Sequence, residues 1–297
     1  MELRKSNVLE KSRLYIVDPV GGVKADLPTS GIKRESEHLI PPNRPGFGTE
    51  SDSIDRRKME NHTDNLADIT DRYETCMKTV PIGKWIDLTV LAVRDPDALI
   101  DSIDPDEFAQ EERLPYWAEI WPSSIALGIH LFEHPVQSDR RILELGCGTG
   151  IAGLAAAKAG LDVLACDYDR DALLFAKHNA DINGVAHRMS FRELDWRKPN
   201  LKEKFSFVIG SDITYERPDH EPILSFLSQF LVPGGTFVLS DPDRSSAPEF
   251  VASVCHEGFS HTPQPRRIRY DGKVNKVTVH RFIDVAGSKD NSRGANA

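Results

Sequence analysis

The sequence has no Cys-x-x-Cys pair, and its four cysteines, Cys76, Cys147, Cys166 and Cys255, are scattered through 297 residues. That spacing excludes a disulfide-built scaffold and offers no clustered ligands for zinc. No metal site is expected, and the four thiols read as reduced side chains of a cytoplasmic protein. The first stretch, MELRKSNVLEKSRLYIVDPVGG, lacks the apolar segment of roughly 7–15 residues that a secretory signal needs. No apolar run approaches the ~20 residues that cross a bilayer. The longest, 150–166, is interrupted by Lys158 and Asp162, so no membrane association is expected. An excess of positive charge is missing too. The formal net charge of −9 argues against gripping nucleic acid through a broad basic face.

Sustained apolar periodicity is absent from residues 1–75. They hold Pro41-Pro42-Asn43-Arg44-Pro45, Gly46, Gly48 and the cluster Asp55-Arg56-Arg57-Lys58. Such a composition buries too little surface to offset the entropy of ordering. Residues 1–75 are therefore expected to be a disordered extension. A folded domain is expected over 76–287, with N-terminal strands and a connector in 76–115, a core in 116–287, and a frayed tail at 288–297.

Within that domain the pattern is regular. Residues 79–93 read as two strands around Gly83 and Lys84. Pro122, followed by Ser123 and Ser124, starts a helix. Strands over 141–145, 162–166, 188–194, 205–210 and 236–240 then alternate with helices over 151–159, 170–183, 219–231 and 247–257. Alternation of this kind specifies an α/β fold with a parallel sheet covered on both faces. Near the end, Asp271-Gly272 separates two strand-like runs, 266–270 and 276–285. Asp-Gly in that setting signals an antiparallel hairpin.

Ligands of such sheets bind at the carboxyl ends of the strands. The first core strand runs into Glu144-Leu145-Gly146-Cys147-Gly148-Thr149-Gly150. Ile151 stands where a dinucleotide fingerprint would need its third glycine, and no phosphate-loop motif ending in Gly-Lys-Ser/Thr is present. Glu144, an acid just ahead of the turn, suits a cationic group such as an amino acid's ammonium better than a pyrophosphate. Asp167 ends the second strand, twenty-one residues after Gly146. A carboxylate there can accept hydrogen bonds from both hydroxyls of a ribose. The third strand ends in Asp195-Trp196, and a Trp at that edge can stack on an adenine. Structural roles stay open for each: turn glycines, Asp167 as a loop acid beside a helix-capping Asp169, Trp196 as a core residue.

In this order, ELGCGTG, CDYD and LDW resemble the class I S-adenosylmethionine-dependent methyltransferases over about 114–285. The resemblance implies a Rossmann-like, doubly wound, seven-stranded sheet, mostly parallel with a C-terminal antiparallel hairpin. It also implies S-adenosyl-L-methionine as cofactor. Strand four runs into Gly210-Ser211-Asp212-Ile213-Thr214-Tyr215. Its Asp-x-x-Tyr, with PYWAEIWPSSIAL before the first core strand, resembles the methyltransferase-16 family of protein-lysine methyltransferases. By that resemblance Trp121, Gly146, Gly148, Asp167, Trp196 and Ser211 line the cofactor site. Glu144, Gly150 and Asp195 complete the candidate cofactor-binding set, and Asp212 and Tyr215 form the candidate catalytic set. Asp241-Pro242-Asp243-Arg244 resembles the Asp-Pro-Gly-Arg of the branch that modifies the electron-transfer flavoprotein β-subunit. Asp243 stands where that branch has glycine, so its substrate is not carried over.

Amine methylation needs an unprotonated nitrogen, whereas a free lysine titrates near ~10.4. Desolvation and a neighbouring sulfonium charge both lower that value. Asp212 is assigned the orientation and electrostatics of the amine ahead of a general-base role, and Tyr215 the wall of its channel. Glu119, Glu216, Asp219 and Glu221 read either as an acidic rim that would attract a lysine or as ordinary solvated surface. His220 has no partner legible in the sequence. Arg266, Arg267 and Arg269 read as protection for an edge strand. The sequence is thus read as an N-methyltransferase acting on a lysine of a protein. A small-molecule or nucleobase acceptor on the same fold stays open, as does a non-catalytic cofactor-binding module that docks partners through its extension.

Overall fold

A computed structural model describes residues 66–101, 114–136 and 141–286. The expectations of disorder for 1–65 and of a frayed tail at 288–297 lie outside the described residues. The described residues open with helix α1 (Leu66–Arg72) and an antiparallel hairpin, β1 (Thr75–Ile82) and β2 (Ile86–Val93), followed by helix α2 (Pro96–Asp101). The core runs α3 (Pro122–Glu133), β3 (Ile142–Leu145), α4 (Ile151–Lys158), β4 (Val163–Asp167), α5 (Arg170–Ile182) and β5 (Met189–Glu193). It continues through β6 (Phe205–Ser211), α6 (His220–Phe230), β7 (Leu231–Asp241), α7 (Ala247–His256), β8 (Phe259–Tyr270) and β9 (Lys273–Asp284).

Seven strands form one sheet in the order β5-β4-β3-β6-β7-β9-β8, parallel from β5 to β7 and antiparallel beyond. Strands β3 and β4 are buried along their whole length, as parallel strands covered on both faces should be. Alternate residues feed two cores. Ile142, Val163, Ala165 and Ile209 face α3, α4 and the β1–β2 hairpin. Leu143, Leu164, Val208 and Phe237 face a phenylalanine-rich layer that includes Phe226, Phe230 and Phe250 of α6 and α7. Helices α3 and α4 meet closely: a Cβ on Gly128 would lie 2.8 Å from the Ala155 Cβ. Among the described residues no helix is long and apolar enough to cross a membrane.

Two features depart from the expected boundaries. Hairpin β1–β2 begins at Thr75 rather than 79, and α1 falls inside the stretch read as disordered. A seven-residue helix does not hold by itself. Here its last turn is fixed to α5: Arg72 Nη1 donates to Asp171 Oδ2 at 2.6 Å, and the Tyr73 hydroxyl donates to the same carboxylate. The Tyr73 ring packs edge-on against Trp117 and Phe175, with Ile69 buried in the same cluster. Tertiary contacts organise α1, so no local signal reveals it.

The N-terminal hairpin is tied down by side chains of α5. Asn179, fully buried, accepts from Leu91 N at 2.7 Å and donates to Leu91 O and Thr149 O, each at 3.0 Å. Asn183 makes the same kind of paired contact with Thr89. The chain leaves β3 towards β4 and β5, then returns to place β6 on the other side of β3. The loops after β3 and β6 therefore diverge, and the crevice between them is where such sheets bind ligands.

Candidate active site

The loop after β3 forms one wall of that crevice. Gly146 and Gly148 have left-handed φ angles of 63° and 52°, open to glycine without steric cost. A Cβ on Gly146 would lie 2.8 Å from Ile213 Cγ2, and one on Gly148 would lie 3.3 Å from Trp117 O. Asp167, at the end of β4, is 4% exposed. Its Oδ2 accepts from Gly148 N at 2.9 Å and its Oδ1 from Asp169 N at 3.0 Å. Burial pushes its carboxyl up to about 6, against the backbone hydrogen bonds that it accepts. Capping of α5 falls to Asp169, which accepts from Asp171 N and Ala172 N, and Asp167 is left to the crevice. The Trp196 ring lies 3.6 Å from the Cβ position of Gly146, and its indole N–H donates to Asp219 Oδ1 at 3.2 Å.

The opposite wall is built at the end of β6. Asp212 has a left-handed φ of 54°, uncommon for a residue with a side chain though tolerated by Asp. Its N–H donates to Ser240 O at 2.8 Å, which ties the bend to β7. Arg244 grips its carboxylate with both arms, Nε to Oδ1 at 2.6 Å and Nη2 to Oδ2 at 2.8 Å. The Arg244 backbone N–H donates to Asp241 Oδ1 at 2.7 Å. The same guanidinium lies 5.7 Å from the ring centre of Trp121 and 5.9 Å from that of Tyr215. Tyr116 links the two aromatics, packing edge-on against Tyr215 and accepting the Trp121 indole N–H at 2.9 Å through its carbonyl. Burial raises the Tyr215 hydroxyl above its ordinary range, so it remains a phenol. Asp243 also has a left-handed φ, 57°, and accepts from Thr278 Oγ1 at 2.6 Å. That backbone explains why glycine suits this position in the branch the motif resembles.

Trp121, Gly146, Gly148, Asp167, Trp196, Ser211, Asp212 and Tyr215 all line one open cleft of about 620 Å³. Three candidates stand elsewhere. Glu144 points beneath α4, where Oε1 accepts from Gly153 N at 3.1 Å and Oε2 has no partner among the described residues. Burial raises it to about 8, so it is protonated at neutral pH and is no anionic partner for an ammonium in the cleft. Gly150 caps α4 in a left-handed conformation with its Cβ position 3.1 Å from the Ala176 Cβ; it serves the contact with α5. Asp195 accepts from Arg197 N at 2.9 Å and lines an adjoining hollow of about 360 Å³ with Trp196, Tyr215 and Asp219.

The acidic rim is only partly present. Glu119 lines the cleft, and burial raises its pKa. Glu216 lines the adjoining hollow, where Asp219 is paired with Arg197 at 2.6 Å. Glu221 is exposed and lines neither space. His220 does have a partner, Thr214 O at 3.2 Å from Nε2, and packs edge-on against Phe250. Arg266 pairs with Glu133 at 2.6 Å on β8, the outermost strand. Sequence reasoning passed over Tyr116, Trp117, Tyr168 and Arg244. All four lie within quoted motifs, but only the folded chain brings Arg244 to a carboxylate thirty-two residues away.

The sheet order, parallel through β7 with an antiparallel final pair, is that of a Rossmann-like seven-stranded fold. Residues 107–254 match the lysine methyltransferase family. Among relatives, the electron transfer flavoprotein beta subunit lysine methyltransferase of Xenopus laevis is 32% identical over 138 residues, 44% of this chain and 54% of that protein. The ribosomal protein L11 methyltransferase of Exiguobacterium sibiricum is 30% identical over 149 residues, 49% and 42% of the two chains. The protein N-lysine methyltransferase METTL21A of Xenopus tropicalis is 34% identical over 104 residues, 33% and 47%. The chain thus spans about half the length of these curated relatives.

Proposed function

We propose that the protein is a cytoplasmic N-methyltransferase that uses S-adenosyl-L-methionine to methylate the side-chain amine of a lysine in another protein. The observation that carries this reading is the joining of two recognition surfaces in one cleft. Asp167 and Trp196 stand on one wall; Asp212, Tyr215 and Trp121 stand on the other.

The first wall fits an adenosyl group. Asp167 is a buried carboxylate that accepts only from backbone N–H groups in the hydrogen bonds described, those of Gly148 and Asp169 among them, and it can also accept from the two hydroxyls of a ribose. The Trp196 face can cover an adenine. The bare backbone of Gly146 and Gly148 allows close approach. S-adenosylmethionine, when bound, supplies an electrophilic methyl group on a sulfonium sulfur. Asp212 can then accept a hydrogen bond from the amine and fix its line of approach, a proximity effect. The rings of Trp121 and Tyr215 wall the approach and favour positive charge near their faces. Desolvation by these walls lowers the amine's affinity for its proton.

A protein acceptor is supported by the family match and by relatives named for lysine and ribosomal-protein methylation. The unbridged state of all four cysteines supports a reducing compartment. The test is incubation of the full chain with radiolabelled S-adenosylmethionine and a cell lysate, followed by separation of proteins from small molecules. Label is expected in protein. Label only among small molecules would favour a metabolite acceptor. Cofactor binding without any transfer would favour a non-catalytic module.

A further inference from the structure

The groups that would receive an amine already hold a cation. Asp212 is fork-paired to Arg244, and the same guanidinium lies near the faces of Trp121 and Tyr215. Arg244 is in turn held by its own backbone bond to Asp241. We infer that Arg244 is the positioning residue for the acceptor: it fixes the Asp212 carboxylate and keeps a permanent positive charge where the amine arrives, so that the neutral amine is admitted. This inference rests on the proposed methyl transfer.

The chemistry favours that role. The amine lone pair forms the N–C bond as the C–S bond breaks, the sulfonium becomes a neutral thioether, and the positive charge passes to nitrogen. The methylated ammonium then releases its proton to water. A protonated amine has no lone pair to give. An unpaired Asp212 would attract the ammonium form and hold it unreactive; the fork neutralises that pull. Each carboxylate oxygen still has a lone pair free to accept from a neutral amine. Most other ionisable groups around the pair are acidic. Asp241 and Asp243 stand on the β7 side, Glu119 and Asp167 on the cleft walls, and Glu216 follows Tyr215. Asp219 is paired with Arg197, Tyr116 is an electrostatic neighbour of Arg244, and His280 on β9 is an electrostatic neighbour of Asp243. Arg244 thus offsets a field that would otherwise raise the acceptor's pKa.

The test compares wild type with Arg244→Gln and Arg244→Lys, using the lysate protein that wild type labels at lysine, once purified, as acceptor. The readout is the pH dependence of methyl incorporation, and S-adenosylhomocysteine calorimetry checks that each variant keeps its fold. A charge at this range shifts a pKa by about one unit or more. Arg244→Gln should therefore move the rising limb about one pH unit to alkaline, with KM lowered and kcat near neutral pH about tenfold down. Arg244→Lys keeps the charge and should keep the limb in place while losing rate with the fork. If Arg244→Gln fails to fold, Arg244→Met gives the same readout. A neutral variant whose profile superimposes on wild type, whatever its rate, overturns the inference and leaves the methyltransferase reading intact. A wild type that labels no lysine removes both.

Discussion

Glutamine at position 144 should remove a specific loss of stability at alkaline pH. Glu144 is 1% exposed, and its carboxyl is raised from 4.5 to about 8 by burial, against a single hydrogen bond from Gly153 N. A carboxyl raised by folding binds its proton more tightly in the folded chain. Its contribution is whole below the unfolded pKa and fades as pH rises towards the folded one. Between about pH 5.5 and about pH 8 this group alone should withdraw ~3 kcal/mol. Buried histidines act in the opposite direction. His130 and His280 are lowered from 6.5 to about 4 by burial, so both favour the folded state more as pH climbs from the folded value to the unfolded one, and no further above it. A double difference isolates the carboxyl. Glu144→Gln retains the acceptor for Gly153 and places an amide nitrogen where Oε2 has no partner among the described residues. That costs about 1–3 kcal/mol independently of pH. Urea titrations of both proteins at the two pH values give the comparison. The variant should gain ~3 kcal/mol relative to wild type on going to the higher pH. A double difference below about 1 kcal/mol would refute the assignment of a proton to Glu144.

Asp167→Ala should weaken S-adenosylhomocysteine binding at least about tenfold, because a hydrogen bond to a charged acceptor contributes about 1.5–3 kcal/mol. Calorimetry checks this, and unchanged affinity would remove Asp167 from the ribose site. Asn179→Ala leaves the Leu91 N–H and carbonyl and the Thr149 carbonyl without their buried partner. It should destabilise the fold by roughly 2–4 kcal/mol in thermal or urea unfolding; a loss under about 1 kcal/mol would show that the hairpin is held otherwise.

How much of this was legible follows the range of each interaction. The core strands and helices announce themselves through local period, and Asp271-Gly272 marks the last hairpin as the backbone realises it. The glycine loop, Asp167, Trp196 and Asp212 reach one cleft because parallel strands bring their carboxyl ends to one edge. Helix α1 was hidden because its stability comes from Asp171, Trp117 and Phe175, far away in sequence. The direction of the Glu144 side chain was not legible, because its place ahead of the turn says nothing about which face of the sheet it takes. It points to α4, where Gly153 leaves room: a Cβ there would lie 2.2 Å from Oε2. Gly150 looked like part of the ligand loop, yet its lack of a side chain serves Ala176. The role of Arg244 lay in a quoted motif but depended on a contact with Asp212 that no spacing rule supplies.

The central claim is that Asp212 handles the acceptor amine while Asp167 and its neighbours hold the cofactor. Peptide-level mass spectrometry of the labelled lysate protein, after reaction with wild type and with Asp212→Ala, tests it most directly. The account predicts a methyl group on a lysine side-chain nitrogen with wild type, and a loss of at least about a hundredfold in that signal with Asp212→Ala at unchanged S-adenosylhomocysteine affinity. Methylation on another atom, or full lysine methylation by Asp212→Ala, would contradict it.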